Sequence, residues 1–299
     1  MLKSFQDIEE KLKKQHKRKT LVLSAANDLH ALEAVVAAKS KGIIEAILVG
    51  NSNEIRDIAA SHAFSLSGME IIHEPDETRA VELSVQMVTL GKANILMKGK
   101  SSTATLLKGI LNKEWGMRKG KLLSHFALFE IPNYHKLLAL TDVAINLTPD
   151  LIAKTSILEN AVSFMNSMGW VSPKVAVIAA VEVVNPAMQA TIDAAELSSM
   201  ADAGAFGSCM VAGPMALDSA INKESAIKKG ITSPVGGDAD LLLFPQLESG
   251  NIMYKSLAFL AGGQAASVVL GATSPVVLTS RADSEASKLN SIILAAAQD

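Results

Sequence analysis

An internal disulfide is excluded at the outset, because Cys209 is the only cysteine in the 299 residues and one thiol cannot cross-link a chain to itself. Such sparing use of cysteine fits a reducing compartment, so a cytoplasmic location is expected. The six histidines, His16, His30, His62, His73, His125 and His135, show no metal-ligand spacing with one another or with Cys209. No structural zinc, and no metal of any kind, is expected. No apolar run approaches the roughly 18 residues of a membrane span, and the N-terminus is charged where a signal peptide would be apolar. Aromatic residues make up only 4% of a chain that is 49% hydrophobic, so Ala, Val, Leu and Ile must fill the core, as helices packed on buried parallel strands require. Charge of either sign is not gathered into blocks: 28 basic and 30 acidic side chains leave a net −2. The one basic cluster, Lys11–Lys19, follows Glu9 and Glu10 on an amphipathic helix and lacks interleaved aromatics. It reads as a solvated face, and no nucleic-acid partner is expected.

Three familiar motifs are also missing. Ser24-Ala25-Ala26-Asn27-Asp28 stands where a Gly-x-Gly-x-x-Gly would follow the first strand, which disfavours the usual nicotinamide dinucleotide site. Met97-Lys98-Gly99-Lys100-Ser101-Ser102-Thr103 has one glycine and is no Walker A loop. The absence of Gly-x-Ser-x-Gly argues against an ordinary serine hydrolase.

What is present is alternation. Short buried runs at 20–24, 46–50, 70–72 and 95–97 alternate with helical patterns at 28–36, 55–63 and 77–90, and a further helix starts after Ser101. Parallel strands need such crossovers, so an α/β fold with helices on both faces of the sheet is predicted. Two extended runs, 122–130 and 136–140, are too closely spaced for a helical crossover and predict an antiparallel pair. Alternation resumes with helices at 151–168, 187–198, 216–229 and 250–261 and strands at 175–180, 208–212, 239–244 and 266–270. A last strand at 276–279 delivers Ser280 and Arg281 to the mouth of a helix whose apolar face holds Leu289, Ile292, Ile293 and Ala296.

That last junction is the strongest candidate for chemistry. Helix N-termini and the carboxyl ends of parallel strands favour anions, and a guanidinium offers phosphate a planar fork. The alternative is that Ser280 or Asp283 merely caps the helix while Arg281 pairs with a surface carboxylate. Lys98, Lys100, Ser102 and Thr103 form a second anion-friendly turn, with an ordinary capped helix as its alternative. Pro234 and Gly236, in Thr232-Ser233-Pro234-Val235-Gly236-Gly237-Asp238, suit a loop over a ligand or a plain turn. Glu248 and Asn251 after the strand at 239–244 either line a cleft or cap the next helix.

The run 233–255, Ser-Pro-Val-Gly-Gly-Asp-Ala-Asp-Leu-Leu-Leu-Phe-Pro-Gln-Leu-Glu-Ser-Gly-Asn-Ile-Met-Tyr-Lys, resembles the phosphate acyltransferases, the family of phosphotransacetylase and phosphotransbutyrylase. Met97–Thr103, Thr141–Asn146, Gly213–Asp218 and Pro275–Ser284 agree in the same order, and Ser124-His125 with Thr279–Ser284 is more similar to the butyryl branch. The resemblance implies transfer of a short acyl group, butyryl first, between coenzyme A and inorganic phosphate, with both as substrates and no cofactor. It also implies two α/β domains with parallel-rich sheets, an interdomain cleft of the isocitrate/isopropylmalate dehydrogenase kind, and a homodimer or larger assembly. The domains expected are 1–141 with 281–299, and 142–280.

By the same resemblance Ser280 hydrogen-bonds the developing oxyanion, Arg281 holds phosphate, and Lys98, Lys100, Ser102 and Thr103 fit the phosphate side. Asp142 and Asn146 match family positions without an assigned role. An aspartate proposed as the base in the acetyl branch is replaced by Ser287. Asp283, Glu285, or a thiol ionised by a positive environment alone remain as alternatives. Cys209, within a strand pattern, is a packed small residue or a rival acyl-carrying nucleophile. Two other functions stay in view. A metal- and NAD-dependent decarboxylating hydroxyacid dehydrogenase on the same fold would need an aspartate cluster that the sequence does not offer. A binding protein without turnover sits poorly with the presence of both Ser280 and Arg281.

Overall fold

Helix α1 (Phe5–Lys13) turns Phe5, Ile8 and Leu12 inward, the spacing of one helical face. The computed structural model describes residues 2–14, 18–120, 122–279 and 283–298. Strand β1 (Lys19–Ser24) leads into α2 (Leu29–Ser40), where the N-cap Asp28 accepts the Ala31 amide at 2.9 Å. Then come β2 (Ile44–Gly50), α3 (Ser52–Ser61), β3 (Glu70–His73), α4 (Glu77–Thr89), β4 (Ile95–Lys98) and α5 (Thr103–Ile110). Asn51, Asp76 and Ser102 cap the three helices through their side chains.

The alternation then breaks where the close spacing predicted. β5 (Ser124–Glu130) and β6 (Leu138–Thr141) pair antiparallel, with Leu128 opposite Ala139. Next are α6 (Leu151–Ser167), β7 (Lys174–Ile178), α7 (Gln189–Asp202), β8 (Met210–Met215), α8 (Leu217–Ile221), α9 (Lys223–Lys228), β9 (Leu241–Leu243) and α10 (Leu247–Phe259). The single helix expected over 216–229 is two, because Asn222 adopts an extended backbone (φ −124°, ψ 117°) and caps α9 by accepting the Ser225 amide. The chain ends with β10 (Gln264–Leu270), β11 (Val276–Val277) and α11 (Glu285–Ala296).

Two compact units result, one of residues 5–121 with 266–297, the other of residues 1–4, 122–265 and 298–299. These bounds differ from 141 and 280, and pairing explains why. β6 is hydrogen-bonded to β9 (Ala139 opposite Leu241), so the antiparallel pair belongs with the central residues, while β11 lies along β4 (Val277 opposite Met97) and belongs with the flanking ones. In the flanking unit the strand order is β3-β2-β1-β4-β11-β10, parallel except for the last pair. In the central unit it is β5-β6-β9-β7-β8, parallel except for the first pair. Strand interiors such as Leu21–Leu23, Leu96–Met97 and Leu241–Leu243 are fully buried, as sheets covered on both faces require.

Gly250 lies inside α10, where glycine costs about 1 kcal/mol relative to alanine. Close approach explains it: a Cβ there would stand 2.5 Å from the Asp142 carbonyl oxygen. Asn251 holds the same segment, its Nδ2 donating to the Val143 carbonyl at 3.1 Å. Glu248 and Asn251 therefore lie within α10, not at a cap. Gly250→Ala is expected to destabilise the fold by about 1–3 kcal/mol despite the better helix propensity, because backbone must give way. An unchanged urea midpoint would refute that reading of the contact.

Candidate active site

The carboxyl ends of β1, β4 and β11 lie side by side in the flanking unit, since Ser24 is opposite Lys98 and Val277 is opposite Met97. Gly99 brings the chain leaving β4 against the chain leaving β1. Its amide donates to the Ser24 carbonyl at 2.8 Å, the Lys100 amide donates to the Ala25 carbonyl at 2.9 Å, and a Cβ on Gly99 would meet the Ala25 oxygen at 2.3 Å. Only glycine fits. Lys98 bends back and donates to the carbonyls of Gly99 (2.9 Å) and Ser101 (3.0 Å), closing the turn. Ser102 is the N-cap of α5, accepting the Thr105 amide at 3.0 Å.

Lys100 points to solvent, 3.8 Å from Glu54, and Thr103 opens the helix on an exposed face. Of the four residues predicted here, Lys98 and Ser102 are thus engaged in building the turn, while Lys100 and Thr103 face outward. Two buried hydroxyls at this edge, Ser24 and Ser101, have no hydrogen-bond partner among the described residues. Thr279 is the last described residue of the segment that leaves β11; Ser280 and Arg281 lie outside the described residues. The description resumes at Asp283, and Ser284 caps α11 by accepting the Ser287 amide at 3.1 Å. Ser287 is part of that cap, its hydroxyl 3.0 Å from that of Ser284.

In the central unit Asp142 and Asn146 follow β6. The Asp142 carboxylate is buried and accepts four hydrogen bonds, from the amides of His125 (3.1 Å), Ala144 (2.9 Å) and Ile145 (3.0 Å) and from Asn146 Nδ2 (2.6 Å). Asn146 Nδ2 also donates to the Leu123 carbonyl at 2.9 Å. All four acceptor positions of the carboxylate are filled, which makes this pair a clamp on the turn after β6. Pro234 and Gly236 precede β9, which runs parallel to β6 with Thr141 opposite Leu243. They therefore stand at the opposite edge of the sheet from Asp142 and Asn146, not beside them. Gly236 closes a turn by donating to the Ser233 carbonyl at 3.0 Å, and Pro234 lines a cavity of about 500 Å³ with His135, Lys174, Lys223 and Asp238.

That edge is dominated by Asp238. Its carboxylate meets His135 Nε2 at 2.7 Å, Lys136 Nζ at 2.9 Å and Lys174 Nζ, while Lys136 also reaches Asp240 at 2.7 Å. Partial burial alone would raise the Asp238 carboxyl, but hydrogen bonds from Lys174, Lys136 and His135 outweigh it and hold the group far below the usual carboxylate range. Sequence reasoning missed this network because its members lie about a hundred residues apart.

It also missed Lys154 and Asp193, a buried pair at 2.5 Å. They line a cavity of about 620 Å³ with Asp150, Gln189 and Gln246 beyond the carboxyl ends of β6 and β9. Cys209 precedes β8 and is partly buried, and burial pushes its thiol up. Among the described residues one group of metal-type donors converges, His30 and Glu33 on α2 with Glu285 on α11, within 4.8 Å of one another and on an exposed face. No described helix is long and apolar enough to cross a membrane.

The sequence matches the family described as Phosphate acetyl/butaryl transferase over residues 4–84 and 78–296. It is 47% identical to the phosphate butyryltransferase of Clostridium acetobutylicum over 99% of this chain and 98% of that one. It is 44% identical to the phosphate acetyltransferase of Thermotoga maritima over 94% and 95%. Among solved structures, a branched-chain phosphotransacylase from Enterococcus faecalis superposes with a TM-score of 0.83 at 31% identity, covering 94% of this chain and 98% of that chain.

The Asp238 network has a measurable signature of its own. A carboxyl lowered by folding adds stability above its unfolded value of about 3.9, and that stability is lost as pH falls below it. Asp238→Asn should therefore flatten the loss of stability between about pH 4 and pH 2 relative to the parent chain. Urea midpoints that fall in parallel for both proteins across that window would count against the network.

Proposed function

We propose that this chain, which belongs to the phosphate acetyl/butyryl transferase family, moves a short acyl group between coenzyme A and inorganic phosphate in either direction. The carrying observation is the 47% identity, across nearly the whole of both chains, with a phosphate butyryltransferase. Against a dehydrogenase reading stands the fact that the relatives at 44–47% identity are acyltransferases. The likeness to 4-hydroxythreonine-4-phosphate dehydrogenase, at 13% identity and a TM-score of 0.59, concerns the fold alone.

The mechanism we infer is direct transfer in a ternary complex. The thiolate of coenzyme A attacks the carbonyl carbon of the acyl phosphate, a C–S bond forms, the C–O bond to phosphorus breaks, and phosphate leaves. The thiol proton ends on the departing phosphate, so acyl group and proton balance without any change of oxidation state. No redox cofactor is required. Arg281 holds the phosphate in line and Ser280 donates to the carbonyl oxygen as it becomes an oxyanion. Lys100 and Thr103 supply the outward-facing groups beside the chain leaving β11. Lys98, Ser102, Asp142 and Asn146 act as positioning residues, since their hydrogen bonds are made within the turns they build.

No carboxylate stands at position 287, and Asp283 and Glu285 are the nearest acids in sequence. A raised Cys209 thiol is a poor nucleophile, which supports direct transfer over an acyl-enzyme. Pro234 and Gly236, across the sheet from Asp142, carry less of the substrate in this reading. We place the enzyme in the cytoplasm as a homodimer or larger homo-oligomer. Ile252 and Phe259 on α10, Leu260 at its C-cap, Leu147 before α6 and Ile152 within it are exposed large apolar side chains, which suits self-association.

Release of thiol-reactive coenzyme A from butyryl-coenzyme A and phosphate is the direct assay, with acetyl-, propionyl- and valeryl-coenzyme A ranking chain length. Arg281→Ala should reduce turnover by about a thousandfold or more while the thermal transition stays in place. Near-normal turnover in that variant removes the assignment. Cys209→Ser should be almost silent, and loss of a burst of acyl-enzyme in it would instead favour the covalent route.

A further inference from the structure

The amino edge of the central sheet carries charged groups that the acyl-transfer mechanism leaves unused. His135 and Lys136 precede β6, Lys174 opens β7, and Asp238 and Asp240 precede β9. Because β6, β9 and β7 run parallel, these five residues meet at one edge, opposite the edge that holds Asp142 and Asn146. Two cavities open there and share His135, Lys174 and Asp238 as lining residues. One, of about 500 Å³, adds Lys223 and Pro234. The other, of about 560 Å³, adds the apolar side chains of Leu2, Trp170 and Val171. All of these residues belong to the central unit.

The lysines at this edge are not equivalent. Lys136 is buried among three acceptors, the Asp238 carbonyl at 2.8 Å, the Asp238 carboxylate at 2.9 Å and Asp240 at 2.7 Å. Three acceptors for three N–H groups leave nothing for a ligand. Among the described residues the Lys174 ammonium meets only Asp238, and that of Lys223 donates only to the Gly236 carbonyl, at 3.2 Å. Each therefore keeps N–H groups for another acceptor. His135 faces Asp238 through Nε2 and keeps Nδ1. Lys136, Lys174 and Lys223 also outnumber Asp238 and Asp240, and both carboxylates are already engaged, so the spare donors favour an anion. An anion that brings an apolar body gains again by covering Leu2, Trp170 and Val171, whereas bare phosphate gains only from the cations.

We propose that the two cavities form one binding site for a small organic anion, a phosphate or carboxylate joined to an apolar or aromatic body. The acidic group accepts from Lys174 and Lys223, and the body lies against Trp170 and Val171. Lys136 is a positioning residue, holding Asp238, which in turn holds Lys174. Pro234 and Gly236, which stand away from Asp142, border this second site: Pro234 lines it, and Gly236 offers its carbonyl to Lys223. The proposal does not depend on the acyl-transfer reading.

Trp170 is one of two tryptophans, so Trp115→Phe makes it the sole indole emitter of the full-length protein. In that background phenyl phosphate and benzoate are titrated separately against emission. At least one should give a saturable change, and the tighter of the two identifies the acidic group. Inorganic phosphate, read by its displacement of the organic anion, should bind at least about tenfold more weakly. Lys223→Gln and Val171→Glu alter exposed residues and should each raise the dissociation constant about tenfold, with the melting temperature close to that of the parent. Arg281→Ala should leave the constant within about twofold. No saturable change with either organic anion overturns the proposal, as does equal affinity for inorganic phosphate or an unchanged constant in both exposed-residue variants. A signal lost in Arg281→Ala overturns it too, because the ligand would then sit at the acyl-transfer site.

Discussion

The lateral hydrogen bonding of β4 between β1 and β11 is the constraint on which the candidate site depends. Ser24 opposite Lys98 and Val277 opposite Met97 mean that three chain segments from distant parts of the sequence leave the sheet at one edge. A slip of one residue in either pairing would turn every side chain of that strand to the other face. The register is held by burial on both faces, where Leu21–Leu23, Ile95–Met97 and Val276–Val277 have no exposed alternative. The geometry of this sheet edge is therefore set by apolar packing. Polar residues only finish it.

Much of this was legible in the sequence because it rests on local patterns. The strand and helix alternation, the antiparallel pair at 124–141 and the cap residues Asp28 and Ser102 follow from periodicity and side-chain chemistry, whereas the last helix is capped by Ser284 and not by Asp283. The break at Asn222 was missed because 216–229 has a continuous helical composition, and a cap inside it competes locally with no apolar signal. The compact units divide near 121 and 265 where 141 and 280 were expected, because β6 finds its partner, β9, a hundred residues later, and sequence spacing holds no record of such pairings.

The site shows a sharper limit. Lysines look alike in a sequence, yet Lys98 closes a turn, Lys136 and Lys174 surround Asp238, Lys154 neutralises Asp193, and Lys100 alone of the predicted pair faces water. Whether a cation is available to a substrate depends on carbonyls and carboxylates that approach from elsewhere in the chain. Asp142 is the acidic counterpart: a family position by likeness, but with every acceptor already filled. One signal was present and went unread. Lys288 stands four residues before Ile292, on the apolar stripe of α11, and a lysine in a buried stripe requires an acceptor, here the Asp283 carbonyl.

With serine at 287, charge alone would have to assist the thiol unless Asp283 or Glu285 takes its proton. A free thiol with a pKa of about 8.5 is roughly one-tenth ionised at pH 7.5, so doing without a general base costs at most about 1.4 kcal/mol there. A cation near the thiol can recover that amount, whereas it cannot replace the alignment of phosphate with the carbonyl, which is worth several times more. Selection on such a site should act first on the residues that hold the phosphate and only weakly on a proton acceptor. The absence of a carboxylate at 287 is what that ordering of energies leads one to expect.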